Sequence, residues 1–142
     1  MVNGKVANFF KNTLGLRQGC PLCPFVYIIM AEILRRKLEE ERRNKNLGGI
    51  KILRGIKSID HSQFTDNTLL LGGALTMMAH RFKKVMDSYL RASGGKVNKE
   101  KRKIYLWNCL AHILNIIAKI LESTTIHEWS SFKYLGTPIF VT

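Results

Sequence analysis

The run His61-Ser62-Gln63-Phe64-Thr65-Asp66-Asn67-Thr68-Leu69-Leu70-Leu71 constrains the fold more than any other stretch of the chain. Two segments of strand character meet at an acidic-polar dipeptide, Asp66-Asn67. The segment before it has a β-friendly composition, and Thr68 to Leu71 is almost wholly apolar. Aspartate and asparagine both tolerate the backbone geometry of two-residue hairpin turns. The pattern predicts a hairpin with a carboxylate at its tip. Asp66-Asn67 is either only a turn or a turn that carries chemistry, and its surroundings decide between the two.

Those surroundings divide into short strands and amphipathic helices. Asn3-Gly4, flanked by Val2 and Val6, predicts a small hairpin over residues 1–10, and the glycine-containing run from Lys11 to Cys20 predicts a loop. Pro21 and Pro24 suit a helix start. Phe25, Ile28, Ile29, Ile33, Leu34 and Leu38 follow at spacings of three and four, so a long helix is expected, ended by Gly48-Gly49. Its later turns, Arg35 to Lys45, are densely charged, so the first half is expected to pack and the second to be solvated. Ile50–Leu53, Lys57–Phe64 and Thr68–Leu71 form a predicted meander of three strands, closed by Gly72-Gly73.

Ala74 to Ala92 is the second predicted helix, with Leu75, Met78, Phe82, Val85, Met86, Tyr89 and Leu90 on one face. This stripe of methionine and aromatic residues has the spacing of a core face. Ser93-Gly94-Gly95 closes it. A strand is expected over Ile104–Trp107, a third helix over Cys109–Leu121 and a last hairpin over Phe132–Val141 around Gly136-Thr137-Pro138. No repeat or low-complexity linker interrupts the pattern. The fold expected is one α+β unit over residues 1–142, with antiparallel hairpins packed on two to three helices.

The chain has 142 residues, 46% of them hydrophobic, which suffices for a core and excludes compositional disorder. Lysine and arginine number 23 against 10 acids, a formal net charge of +13. Such a charge attracts polyanions: nucleic acid is the first candidate and an anionic membrane surface the second. The longest apolar runs, Phe25–Ala31 and Ile113–Leu121, fall short of the ~20 residues that cross a bilayer. The amino-terminal residues lack the apolar core of a signal peptide. Three cysteines make no disulfide framework and suit a reducing, intracellular compartment.

The acids are few enough to take singly. Glu39, Glu40 and Glu41 lie among arginines on the charged half of the first helix and are expected to be ion-paired there. Asp60 precedes Asp66 by six residues, roughly 20 Å along a strand at ~3.3 Å per residue, too far to share a metal ion. The basic residues concentrate between Arg81 and Lys103, which makes this stretch the candidate for phosphate contact, against the alternative of an ordinary solvated face. Cys20, Cys23, Cys109 and His112 have ligand-like spacing for zinc, but the second pair falls on an amphipathic helix.

Four blocks in order carry a resemblance. Gly15-Leu16-Arg17-Gln18-Gly19-Cys20-Pro21-Leu22-Cys23-Pro24 resembles the "GLRQGCPLSP" signature of reverse transcriptases from non-LTR, LINE-type retrotransposons. Phe64-Thr65-Asp66-Asn67 falls where that family has its "FADD" box. Ser93-Gly94-Gly95-Lys96-Val97-Asn98, followed by Lys101, resembles "SGLKVNxxKS". Phe132-Lys133-Tyr134-Leu135-Gly136-Thr137-Pro138 resembles "FKYLGVP". Together they cover nearly the whole chain.

The resemblance implies the palm of a right-hand polymerase, acting on an RNA template and a DNA primer. In that family carboxylates hold two metal ions, normally Mg2+; one activates the primer 3′-hydroxyl and the other supports the leaving pyrophosphate. Carried over, Asp66 is the metal ligand, Asn67 the degenerate second acid position, and Lys101 or Lys96 the partner of the leaving group. Arg17, Gln18 and Gly19 meet nucleotide and template. Phe132, Tyr134, Leu135 and Gly136 support the primer terminus.

The departures are as specific as the likeness. No residue before Gly15 is acidic, so the family's first metal-binding aspartate has no counterpart in the chain. The alanine of the box is Thr65 and its second aspartate is Asn67; an amide is a weaker, neutral ligand for magnesium. Cys23 and Arg102 replace serines. The expectation is a degenerate palm fragment, inactive alone, with nucleic acid as its partner; the alternatives are a non-catalytic basic module that binds nucleic acid and a degenerate retroelement product with no selected role. The rest of a polymerase would be needed to cover its sheet edge and apolar surface.

Overall fold

The structure is a computed structural model that describes residues 19–51, 55, 57–126 and 130–140. The hairpin expected over residues 1–10, the loop up to residue 18, Ile52, Leu53, Arg54 and Val141 lie outside the described residues, as do Arg17 and Gln18.

Helix α1 (Cys23–Arg43) has Pro24 in its first turn, where a missing N–H removes no helical hydrogen bond, and Arg42 and Arg43 in its last turn, favourable to the helix dipole. Its burial reverses the expectation. Leu38, in the charged half, and Leu34 at its border are fully buried, whereas Phe25 and Ile28 in the apolar half are 65% and 61% exposed. Charge density did not decide burial, because the arginines lie off the packed stripe. There Arg35 and Arg36 bind Glu32, and Arg35 and Arg43 bind Glu39. Glu41 lies 3.7 Å from Arg81, a residue of the second helix.

Strands β1 (His61–Phe64) and β2 (Asn67–Leu70) pair antiparallel, His61 opposite Leu70 and Phe64 opposite Asn67. The turn is therefore Thr65-Asp66, one residue earlier than predicted, and Asn67 belongs to the ladder. Thr65 takes the positive φ of 49° that a tight hairpin turn imposes on its first position. The strand expected over Ile50–Leu53 is present as one bridge, Ile50 to Ile59, with hydrogen bonds of 2.9 and 3.0 Å.

Helix α2 (Thr76–Ser93) ends on Gly94 at φ 66°, the left-handed cap glycine takes without penalty. Its predicted face is the one that packs. Phe82 and Val85 join Leu34, Leu38 and Leu47 in the core, with Met78, Met86, Tyr89 and Leu70 against them. Leu75 departs from that face; it stands at the helix start and is half exposed. Gly72 closes tightly on this core, since a Cβ there would lie 2.8 Å from the Phe82 ring.

Strand β3 (Lys103–Tyr105) leads through α3 (Ala111–Leu121) to β4 (Thr124–Ile126), which pairs with β3 in parallel. This crossover was not predicted. Leu114 and Ile117 of α3 are buried, and α3 packs on α2. Strands β5 (Ser131–Tyr134) and β6 (Thr137–Phe140) form the last hairpin, whose turn is Leu135-Gly136, again a residue earlier than expected. Both turn residues have positive φ, 49° and 84°, which Gly136 adopts freely. Among the described residues the chain is an α+β mixture of three helices and three two-stranded sheets.

Candidate functional site

Asp66 sits on the exposed turn between β1 and β2, and the Thr65 hydroxyl donates to its Oδ1 at 3.0 Å. Thr65 is β-branched, so its left-handed backbone is strained, and such strain persists only where neighbouring structure holds it. Asn67 is exposed beside it as the first residue of β2. Beneath the turn lies Tyr27 of α1. Burial pushes its phenol above the ordinary range, the negative fields of Tyr89, Tyr134 and Asp66 add to that, and a backbone hydrogen bond with Thr65 opposes it. Tyr89 of α2 and Tyr134 of the last hairpin are thus near enough to Tyr27 for their charges to act on it.

Asp60 stands at the other end of β1 and is 6% exposed. Its Oδ1 pairs with His61 Nδ1 at 2.6 Å, and its Oδ2 lies 3.9 Å from Arg42 Nε. A buried carboxylate needs such partners, and these join the end of α1 to the start of β1. Asp60 is therefore a structural anchor, separated from Asp66 as its spacing implied. An open cleft of about 320 Å³ runs between α1 and β1, lined in part by Tyr27, Glu32, Arg35, His61 and Gln63. Its charges neutralise one another. Hydrogen bonds from Arg35 and Arg36 hold the Glu32 carboxyl at about 2, well below its ordinary value.

The last hairpin docks on the first. Tyr134 donates its hydroxyl to the Ser62 carbonyl and to Ser62 Oγ, both at 3.2 Å. Phe132 stacks on Tyr105 of β3, with ring centroids 4.8 Å apart and planes at 24°. Aromatic stacking of this kind is worth about 0.5–1.5 kcal/mol beyond area burial. Thus the Phe132–Gly136 block and the Asp66 block, far apart in sequence, come together. Leu135 and Gly136 are exposed at the tip of the docked hairpin.

Lys96 and Lys101 are exposed on the loop between α2 and β3, where the Asn98 side chain accepts the backbone N–H groups of Glu100 and Lys101 at 2.9 and 3.3 Å. Among the described residues no hydrogen bond or ion pair joins either lysine to Asp66. Gly19 is exposed at φ 81° ahead of α1. The predicted basic stretch is partly neutralised from within: Glu122 accepts from Lys83 and lies 3.8 Å from Lys99. Sequence gave no sign of that pair or of Ser62, since their partners are distant in the chain. Tyr27 likewise carried no local signal.

The donor set at the tip is one exposed carboxylate, Asp66, and one amide, Asn67. Among the described residues no three histidine, cysteine, aspartate or glutamate side chains gather as a metal site. Magnesium needs hard oxygen donors and an octahedral shell, and two such ions need more carboxylates than this tip presents. The residues present do not fit a two-metal centre. No disulfide involves Cys20, Cys23 or Cys109, and no described helix is long and apolar enough to cross a membrane.

Hairpins packed against helices, with a carboxylate on one turn and an aromatic second hairpin docked beside it, define a chain of the polymerase-palm kind. Its sequence says which polymerases. The chain belongs to the reverse transcriptase (RNA-dependent DNA polymerase) family, whose model matches residues 1–139. It is also similar to an uncharacterized mitochondrial protein of Arabidopsis thaliana, 31% identical over 68 residues. That match covers 48% of this chain and 56% of the relative, so the chain spans little more than half the relative's length. No solved structure matches the chain. The family is one of polymerases that use divalent metals and act on nucleic acids. The sequence resemblance stated above is borne out at that level, as is the α+β palm-like architecture.

Proposed function

We propose that residues 1–142 are the partial palm of a LINE-type reverse transcriptase that keeps the backbone geometry of the active site but does not polymerise DNA as this chain. One observation carries this reading: the hairpin tip offers Asp66 alone as a carboxylate, with the amide of Asn67 beside it. In the ancestral reaction the primer 3′-hydroxyl attacks the α-phosphate of a nucleotide and pyrophosphate leaves, with Mg2+ supplying charge stabilisation. Asp66 is the remaining metal ligand of that site. Lys101, with Lys96, lies on the leaving-group side; Arg17, Gln18 and Gly19 border the nucleotide and template; Phe132, Tyr134, Leu135 and Gly136 support the primer. The docking of Tyr134 on Ser62 supports the last assignment.

Primer extension on an RNA template, with Mg2+ or Mn2+, tests inactivity. The expected result is no template-dependent incorporation, both for this chain and for Asn67→Asp, which restores one acid of the missing set. Incorporation by either protein overturns the reading. A second reading is favoured by the exposed Lys84, Arg91, Lys96, Lys99, Lys101 and Lys103: a basic module that still binds nucleic acid without catalysis. Its affinity for single-stranded RNA should fall with salt, with a slope of about −0.7 per phosphate contacted. Salt-independent affinity counts against it. Neutralising Lys99, Lys101, Arg102 and Lys103 should weaken binding more than neutralising Arg35, Arg36 and Lys37, and equal losses would mean diffuse attraction only.

A further inference from the structure

Glu122 stands where a carboxylate is doubly disfavoured. It caps α3 in the left-handed conformation, φ 51° and ψ 47°, a position that suits glycine or asparagine. It also lies at the negative end of the helix dipole, which favours cations over anions. Two lysines, one on α2 and one on the loop after it, hold its carboxylate there, and an arginine of the same loop holds the carbonyl beside it. Lys83 of α2 donates to Oε1, Lys99 of the following loop lies 3.8 Å from Oε2, and Arg102 donates to the adjacent Leu121 carbonyl at 2.5 Å. The Ser123 hydroxyl fixes this corner by donating to the Arg102 carbonyl at 3.0 Å. The Glu122 carboxyl is lowered chiefly by its hydrogen bond and charge interaction with Lys83, then by Lys99 and Arg102. Pairs this exposed hold weakly and exchange readily with a competing anion, since Glu122 is 52% and Lys99 75% exposed at the side chain.

We propose that Lys83 and Lys99, with Arg102 beside them, form a phosphate-binding site for a single-stranded nucleic-acid backbone, and that Glu122 occupies it as an internal stand-in until a phosphate displaces it. The inference rests on the nucleic-acid reading above and adds a site to it. A backbone phosphodiester carries the same single charge on two free oxygens as the carboxylate, so two lysines that converge on Glu122 suit one phosphate equally well, and the neighbouring phosphates of a strand add to the attraction.

The test uses the whole chain and a fluorescent uridine oligonucleotide, with affinity read by anisotropy across a salt series. Glu122→Gln should tighten binding about five- to ten-fold near physiological salt and steepen the salt slope by about 0.7–1.4, one to two added phosphate contacts. Glu100→Gln, the same charge change at an exposed residue next to Lys99, should alter affinity less than about two-fold. Lys83→Ala with Lys99→Ala should abolish the Glu122→Gln gain. Glu122→Gly, which suits the left-handed backbone, repeats the test in a variant that keeps the helix end folded. Equal effects of Glu122→Gln and Glu100→Gln, or an unchanged affinity in Glu122→Gln and Glu122→Gly, overturn the site while leaving general nucleic-acid binding intact. No binding by any of these proteins, the unsubstituted chain included, removes both.

Discussion

The hairpin β1–β2 and the hairpin β5–β6 have the same plan: four residues, a two-residue turn with a positive φ, four residues. They differ in what holds them. The first is rooted, with Leu70 packed on the central core and Asp60 buried at its base. The second lies on the outside; every residue of β6 is exposed, and its described attachments are the Tyr134 hydroxyl and the Phe132–Tyr105 stack. Their turns share one strain and differ at the next position. Thr65 and Leu135 both take φ 49°, but Leu135 is followed by Gly136, which adopts its positive φ freely. The rooted hairpin holds its strained residue by packing, whereas the looser one has glycine at one of its two turn positions.

Truncations should separate the two most sharply. Phe82→Ala, under the first hairpin, should lower stability by roughly 3–5 kcal/mol, while Ile139→Ala on the second should change it by under about 0.5 kcal/mol. Chemical denaturation of both variants measures this, and similar losses would mean the outer hairpin is also core. Next in size, Tyr134→Phe should cost about 1 kcal/mol, and hydrogen exchange should accelerate in β5–β6 with β1–β2 unaffected. Faster exchange in both hairpins would place Tyr134 in the shared core.

A smaller effect of opposite sign is expected at the strained turn. Thr65→Asn should raise stability by about 0.5–1 kcal/mol, because asparagine accepts positive φ more readily. A loss would show that the Thr65 hydroxyl on Asp66 outweighs the strain. The smallest effect concerns α1, against which β1 lies. Glu32 has its pKa lowered from 4.5 to about 2 by hydrogen bonds from Arg35 and Arg36. A lowered folded value means its stabilising contribution is complete above about 4.5 and fades as pH falls toward 2. Carboxyl titration by NMR should show Glu32 staying ionised until the pH nears 2, with a slight loss of helicity over that window.

Period and turn chemistry made much of this legible. The α2 face from Met78 to Tyr89 and both hairpins follow from local spacing, and the four blocks of the family were readable as written. The turns were each placed one residue late, because Thr65 and Leu135 are poor candidates for positive φ by intrinsic preference. Tertiary pairing overrode that preference. In α1 the stripe named from spacing included Leu34 and Leu38, which are buried, but the half expected to pack was the wrong one, because the charges of Arg35, Arg36 and Arg43 lie off that stripe. The parallel pair β3–β4 depends on α3 carrying the chain back, and Thr124–Ile126 is too short to signal itself. At the site, Asp66, Asn67, Phe132 and Tyr134 were visible, but Ser62, Tyr27 and Glu122 were not, since each acts through a partner remote in sequence.

The joint between the hairpins is built unevenly, and that bears on how such a chain changes over time. Tyr134 uses the main-chain oxygen of residue 62 as one of its two acceptors. Any amino acid at that position supplies the same oxygen, so Ser62 is free to drift while the joint persists. The phenolic oxygen has no such substitute, and its loss removes both bonds at once. Drift in such a chain would therefore spare the joint at residue 62 and break it at Tyr134.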